Sequence, residues 1–139
     1  MPAMIPAERD AFLAETRLGI LTTLRSDGSP VAVPVWFEWD GTTVRIFTGA
    51  GTGKARRLQR DPRASLLVVN HVGESEAWVA FDGTVTIRTD GGIELAEHLA
   101  RRYWDLSNAE HKAELAGWRK AAGALRVLEL TPTRIRTNR

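Results

Sequence analysis

Apolar and polar side chains alternate along several short segments of this chain, and this alternation predicts β-strands. The predicted strands cover residues 18–24, 30–39, 42–48, 64–71, 77–88 and 123–136. Asp27-Gly28 and Asp40-Gly41 separate the first strands, and such dipeptides favour tight hairpin turns. Asp82-Gly83 lies inside the fifth predicted strand and indicates a bulge there.

Apolar residues at helical spacing predict helices over residues 6–16, 91–104 and 107–121. Ser107 is expected to cap the last of these helices, with Glu110 completing a capping box. A short basic helix follows the third strand and ends before Asp61-Pro62. Because no long helix separates the first five strands, we expect a mainly β chain. It would fold as one domain over residues 1–139, an antiparallel β-barrel with peripheral helices.

Composition narrows the class of protein only a little. The chain has 139 residues, the length of one globular domain. Its net charge is +2. It contains no cysteine, which excludes disulfides and thiolate metal sites. We expect no membrane association and a cytoplasmic location, because there is no long apolar run and no secretory signal pattern at the N-terminus.

The segment 46–58 (IFTGAGTGKARRL) carries the clearest chemical signal in the sequence. A strand passes through a Gly/Thr loop into a helix whose first residues include Lys54. Free backbone N–H groups, the positive end of a helix and a fixed cation together suit a phosphate or another anion. A loop that only turns the chain is the alternative at this point.

This segment does not match the triphosphate-binding P-loop, which requires G-x-x-x-x-G-K-[ST]. Thr48 stands at the position of the first glycine, and Ala55 replaces the hydroxyl residue that would hold magnesium. The basic residues after the loop could form a solvated helix face, or they could contact a nucleic acid. They are Lys54, Arg56, Arg57, Arg60 and Arg63. We expect no nucleic-acid partner.

The order of motifs along nearly the whole chain resembles the flavin-binding split barrels of the pyridoxamine-phosphate-oxidase superfamily. The similar segments are LGILTTLRSDGSP at 18–30, VPVWF at 33–37, the Phe47–Leu58 run, DPRASL at 61–66 and WVAFDGTV at 78–85. The resemblance implies an antiparallel split β-barrel of the FMN-binding type. The apolar 34–37 stretch stands where the oxidases carry a basic motif, so the chain looks most like the short proteins that bind the deazaflavin coenzyme F420.

By this resemblance, Lys54 would pair with the cofactor phosphate, helped by Thr48, Thr52 or the loop N–H groups and by Arg57. F420-binding relatives often have Asn at the position of Arg57, so this contact departs from their pattern. Arg56 and Arg60 would meet the polyglutamate tail of F420 or lie in solvent. The resemblance implies this set of cofactor-binding residues: Val33, Pro34, Val35, Trp36, Phe47, Thr48, Gly49, Thr52, Lys54, Arg57, Leu58 and Trp78.

The function expected from the resemblance is an F420-dependent reductase acting on an unsaturated or quinone-like small molecule. The cofactor carries the redox chemistry, so no catalytic side chain is assigned. His71, His98 and His111 lie far apart in the sequence, so no metal site is expected. Family members form homodimers with the active site at the interface, and we expect the same here. An FMN-binding oxidoreductase and a non-catalytic cofactor-binding protein remain alternatives.

Overall fold

The computed structural model of the chain describes residues 2–139. Its helices are α1 (Pro6–Ala14), α2 (Gly53–Arg60), α3 (Gly92–Tyr103) and α4 (Ala109–Lys120), and a short 3-10 turn spans Ala122–Ala124. Its strands are β1 (Gly19–Leu24), β2 (Pro30–Val35), β3 (Glu38–Trp39), β4 (Val44–Gly49), β5 (Arg63–Val69), β6 (Trp78–Arg88) and β7 (Leu125–Asn138). Among the helices of this described part, none is long and apolar enough to cross a membrane.

The strands form one curled, seven-stranded antiparallel sheet with the order β2-β1-β5-β6-β7-β4-β3. The long strand β7 joins the two parts of the sheet, because it pairs with β6 on one side and with β4 on the other. This architecture confirms the prediction of a mainly β chain with peripheral helices and is that of a split barrel.

Alternating burial along the strands explains why these residues form a curled sheet. In β1 and β4, every second residue points into the core, including Leu21 and Ile46. Leu66, Phe81 and Leu130 meet them from other strands, and all three are fully buried. Helix α2 adds Leu58 to the same core, so this short basic helix is anchored by an apolar side chain.

The prediction of one strand over residues 30–39 is wrong, because the strand breaks at Trp36 and Phe37. Phe37 is fully buried in the core, whereas Trp36 packs against aromatic side chains on the helical side. The Tyr103 hydroxyl accepts a hydrogen bond from the Phe37 N–H at 3.3 Å and donates one to the Arg17 carbonyl at 2.5 Å. The Tyr103 side chain, from α3, therefore takes the place of strand-to-strand backbone hydrogen bonds where the strand breaks.

The cap predicted for the last helix is also wrong by one residue. Asn108 is the N-cap of α4, and its side-chain oxygen accepts from the N–H groups of Glu110 and His111 at 2.9 and 3.2 Å. Ser107 instead donates its hydroxyl to Asp105 at 2.7 Å. Ser107 is thus held in the turn that precedes the helix.

The bulge predicted at Asp82-Gly83 is confirmed, since the pairing of β6 with β7 shifts register between these two residues. A Cβ atom on Gly83 would lie 2.1 Å from the carbonyl oxygen of Thr131. Only a residue without a side chain allows the two backbones to approach so closely.

We expect Gly83→Ala to lower the free energy of unfolding by about 1–3 kcal/mol, because the strands must separate to admit the methyl group. Gly117→Ala, in the open space on α4, is the matched control. It should gain up to about 1 kcal/mol through helix propensity. Urea unfolding of both variants measures the difference, and equal stability of the two would contradict the assignment of a close backbone approach.

Candidate functional site

The connection between β4 and α2 is fixed by the hydroxyl groups of two residues predicted from the sequence. Thr52 is the N-cap of α2, and its hydroxyl oxygen lies 2.9 Å from that of Thr48, which is buried at the end of β4. The Thr52 oxygen also accepts from the N–H of Ala55 at 3.3 Å. The Ala50 N–H donates to the carbonyl of Ala124 at 2.8 Å, which holds the loop against the start of β7.

The first turn of α2 concentrates positive charge. This eight-residue helix has no acidic residue in its first turn, although acidic side chains are favoured there. The half-buried Lys54 occupies that turn instead. Burial lowers the pKa of its ammonium group below the usual value of 10.5, and the positive charge of Arg57 lowers it further. Lys54 is thus a half-buried cation beside a second cation at the positive end of a helix.

Arg57 lies in the last turn of α2, but its guanidinium reaches back to the start of the helix. Its Nε donates to the buried hydroxyl oxygen of Thr23 on β1 at 2.7 Å. Its Nη1 is 2.9 Å from the point where a Cβ atom on Gly53 would stand. Two cations, Lys54 and Arg57, therefore share the positive end of one helix.

The other basic residues of the predicted cluster have separate surroundings. Arg60 donates to the carbonyl of Leu24 at 2.8 Å, which ties the end of α2 to the end of β1. Arg63 forms an ion pair with Asp61 at 2.8 Å, and Arg56 is exposed. The predicted basic cluster thus divides into an inner pair, Lys54 and Arg57, and outer residues with structural partners or solvent.

Several predicted contact residues are part of the hydrophobic core. Leu58 and Val35 are buried in the main cluster, and Val33 packs against it while remaining partly exposed. Pro34 is exposed on β2, which is an edge strand of the sheet. Of these four residues, only Val33 and Pro34 have surface that a ligand could reach.

Trp36 and Phe47 lie together in an aromatic cluster between the sheet and the helices α3 and α4. The Trp36 ring stacks on Tyr103 with centroids 5.1 Å apart and planes inclined by 4°. It also meets Trp104 edge-on at 4.7 Å, and Trp118 packs against Phe47 at 5.1 Å. Helices α3 and α4 therefore supply the immediate partners of two residues predicted to contact a ring system.

Trp78 lies elsewhere, in a groove on the outer face of β1, β5, β6 and β7. The groove has a volume of about 410 Å³ and includes Thr22, Leu67 and Val69. Arg136 stands over the Trp78 ring at 5.9 Å and pairs with Asp82 at 2.7 Å, which holds the pKa of that carboxyl below its usual range. Within one chain, Trp78 is therefore separate from the cationic pair.

Histidines and other metal-ligating side chains form no cluster. Across residues 2–139 there is no group of three His, Cys, Asp or Glu side chains able to hold a metal ion. His98 is exposed and contacts Glu38 at 3.0 Å, and His71 is exposed beyond the end of β5. Trp39 is partly buried and packs against Phe81 of the core, with ring centroids 4.8 Å apart.

Two features of the site region were not predicted from the sequence. Thr23 points inward from β1, although inward positions of this strand are otherwise apolar. The sequence does contain a signal for Thr23, because it is a polar residue at a position where the alternation along the strand predicts a buried side chain. The aromatic partners Trp104 and Trp118 could not be placed near Trp36 from spacing alone, since they come from helices far along the chain.

The chain is similar to one known protein family and to several solved structures. Residues 5–139 match the model of the pyridoxamine 5'-phosphate oxidase family. The chain belongs to this family. The solved structures that resemble this family member include an F420 reductase, with a TM-score of 0.72 and 22% identity over 91% of this chain and 94% of that one. A conserved hypothetical protein from Mycobacterium tuberculosis gives a TM-score of 0.73 and 24% identity over 96% of this chain and 84% of that one.

A curated relative of this family member is the F420H(2)-dependent biliverdin reductase of Mycobacterium tuberculosis (strain CDC 1551 / Oshkosh). The two sequences are 37% identical over 82 residues, which cover 58% of this chain and 57% of the relative. The match thus spans little more than half the length of that enzyme.

We expect Lys54→Met to stabilise the ligand-free protein by about 0.5–1 kcal/mol, because it removes a half-buried charge next to Arg57 at a helix N-terminus. The gain should shrink as the pH rises toward 10.5, because the folded wild-type protein loses the Lys54 proton before the unfolded chain does. Thermal unfolding across this pH range measures the effect. Lys112→Met, exposed on α4, is the control. A loss of stability in Lys54→Met alone would show that the ammonium is compensated.

Proposed function

We propose that this chain is an F420-dependent reductase that delivers hydride to an unsaturated or quinone-like small organic acceptor. The observation that carries the proposal is the cationic pair Lys54 and Arg57 at the N-terminus of α2, with no acidic residue in that turn. Such a site favours an anion, and the phosphate of F420 would supply one. The family membership and the relative named as an F420H(2)-dependent reductase support this choice of cofactor.

The residues around the loop fit a phosphate. The N–H groups of Gly53 and Lys54 open the helix and have no backbone acceptor within it. A Cβ atom on Gly51 would meet nothing within 4 Å, so the loop leaves room for a ligand. Lys54 and Arg57 would provide charge-assisted hydrogen bonds, which are roughly twice as strong as neutral ones. Thr48 and Thr52 would hold the loop in the conformation that aims these groups.

The edge strand β2 fits the planar part of the cofactor. Because β2 pairs only with β1, the backbone polar groups along its other edge have no ladder partner within residues 2–139. Pro34 is exposed and Val33 partly exposed on this strand, and Trp36 follows it. The free polar groups of this backbone would orient the ring, while the apolar side chains would exclude water from it.

Bound F420 in its reduced form supplies the hydride, and the protein supplies position and environment. Lys54 and Arg57 would fix the phosphate end, and β2 would fix the ring at a set distance from it. We assign no acid or base to the chain, so any proton would come from solvent. The aromatic cluster behind Trp36 would keep that side of the site dry.

For the acceptor we propose a chemical class. The name of the curated relative describes an enzyme that acts on biliverdin, an extended unsaturated compound, and we propose an acceptor of this conjugated type. FMN is the alternative cofactor. Arg57 is the residue that favours FMN. It departs from the Asn often found in F420-binding relatives, and its guanidinium suits the more highly charged phosphate monoester of FMN.

We propose that two copies of the chain associate through the outer face of the sheet. Leu67 and Val69 are 37% and 42% exposed there, and the exposed Leu18 lies next to them. Clusters of exposed apolar side chains mark association surfaces. A dimer through this face would cover the Trp78 groove and could bring Trp78 toward the cofactor site of the partner subunit.

Purified protein should bind F420 and quench its fluorescence, and Lys54→Ala should weaken this binding by about 1.5–3 kcal/mol, the range for hydrogen bonds to charged groups. Oxidation of reduced F420 should follow on adding biliverdin or a quinone. Lys112→Ala is the control. Failure of the wild-type protein to bind at tens of micromolar would refute the cofactor assignment. Binding without turnover over a broad acceptor panel would favour a cofactor carrier, and a yellow, FMN-loaded preparation would favour the flavin.

Leu67→Glu should convert the proposed dimer to a monomer, since it places a charge in the middle of the apolar face. Light scattering on a size-exclusion column measures the change. Ile5→Glu is the matched control, because Ile5 is 59% exposed, precedes α1 and does not line the Trp78 groove. A monomeric wild-type protein, or a dimer unaffected by Leu67→Glu, would show that this face is not the interface.

A further inference from the structure

The hydroxyl of Thr23 is buried near the cationic pair, as that of Thr48 is, but it lies on β1, outside the connection between β4 and α2. Thr23 is 1% exposed and lies on β1, among inward positions that are otherwise occupied by apolar side chains. A buried hydroxyl is costly unless it has a hydrogen-bond partner. Its partner is Arg57, whose Nε donates to the Thr23 oxygen at 2.7 Å.

This contact determines where the guanidinium points. Arg has several rotatable bonds, and an exposed Arg would sample many orientations and lose that freedom on binding a ligand. With Nε held by Thr23, the planar group is fixed on one side by β1. On the other side Gly53 leaves space, because Nη1 is 2.9 Å from the position a Cβ atom would take. Within residues 2–139 the only hydrogen bond of this side chain is the one to Thr23, so both Nη groups remain for a ligand.

We infer that Thr23 is a positioning residue for anion binding, and that Thr23 and Gly53 together hold the Arg57 guanidinium over the N-terminus of α2. Thr23 does not touch the ligand in this account, and it acts only through Arg57. The inference rests on the proposed function, because the anion it serves is the cofactor phosphate.

The inference explains why two cations stay close together before a ligand arrives. Without Thr23, repulsion from Lys54 and from the helix dipole would drive the flexible Arg57 side chain into solvent. An acceptor held by the barrel retains it near the site. The free energy of orienting the guanidinium is then supplied during folding rather than during binding.

A double-mutant cycle tests this role by fluorescence titration with F420. Thr23→Val keeps the shape of the side chain but removes the acceptor, and it should weaken binding about five- to tenfold. Thr23→Ser keeps the hydroxyl and should bind within about twofold of the wild-type protein. In an Arg57→Met background, Thr23→Val should cause no further loss, because the group that it positions is gone.

A purely structural role for Thr23 predicts a different result. The loss caused by Thr23→Val would then be the same in the wild-type and Arg57→Met backgrounds, or Thr23→Ser would bind as poorly as Thr23→Val, and either result overturns the inference. Failure of the wild-type protein to bind F420 overturns the proposed function and the inference together. Binding that Thr23→Val leaves unchanged overturns the inference alone.

A second pair of variants approaches the guanidinium from its other side and applies even if Thr23→Val does not fold. Gly53→Ala introduces a methyl group 2.9 Å from the present position of Nη1, closer than van der Waals contact allows, and should shift the guanidinium. It should weaken F420 binding in the wild-type background but not in the Arg57→Met background. An equal effect of Gly53→Ala in both backgrounds would contradict the placement of Arg57 over the helix start.

Discussion

The pairing of β7 with two strands at once is the constraint on which the candidate site depends. Leu128 lies between Ile46 on β4 and Ile87 on β6, so the start of β7 is paired on both edges. β7 thus holds β4 in the same curled sheet as β1. Helix α2 follows β4 and packs against β1, where Arg57 and Arg60 find their acceptors. The placement of the cation pair therefore depends on the curl of the sheet.

The anchoring of α2 must be strong enough to offset the charge that the helix carries. A cation at a helix N-terminus costs about 0.3–1 kcal/mol, whereas burial of a leucine side chain contributes about 1.5–3 kcal/mol. Leu58 is 2% exposed, and the Thr52 cap adds about 1 kcal/mol. Apolar burial and capping thus outweigh the repulsion, so the helix keeps an arrangement of charges that is unfavourable until an anion binds.

The sequence was sufficient to predict features that depend on neighbouring residues. Alternation located the strands, and Asp82-Gly83 located the bulge. The sequence was not sufficient where residues far along the chain determine the local structure. The break after β2 depends on the hydroxyl of Tyr103, which lies 66 residues from Phe37, and the packing of Trp36 depends on α3 and α4. The loop that holds Lys54 was predictable because all its parts are local, whereas Thr23 lies 34 residues from its partner Arg57.

The resemblance to F420-binding proteins implies Asn at residue 57, and the Arg found there has a physical explanation in this chain. An asparagine at this position would be too short to extend from the last turn of α2 back to its first turn. Arginine can span that distance, but only if the path is open and its end is held. Gly53 leaves the path open and Thr23 holds the end. The arginine is therefore compatible with the site because of Gly53 within the motif and Thr23 outside it, and the three should be considered as one unit when relatives are compared.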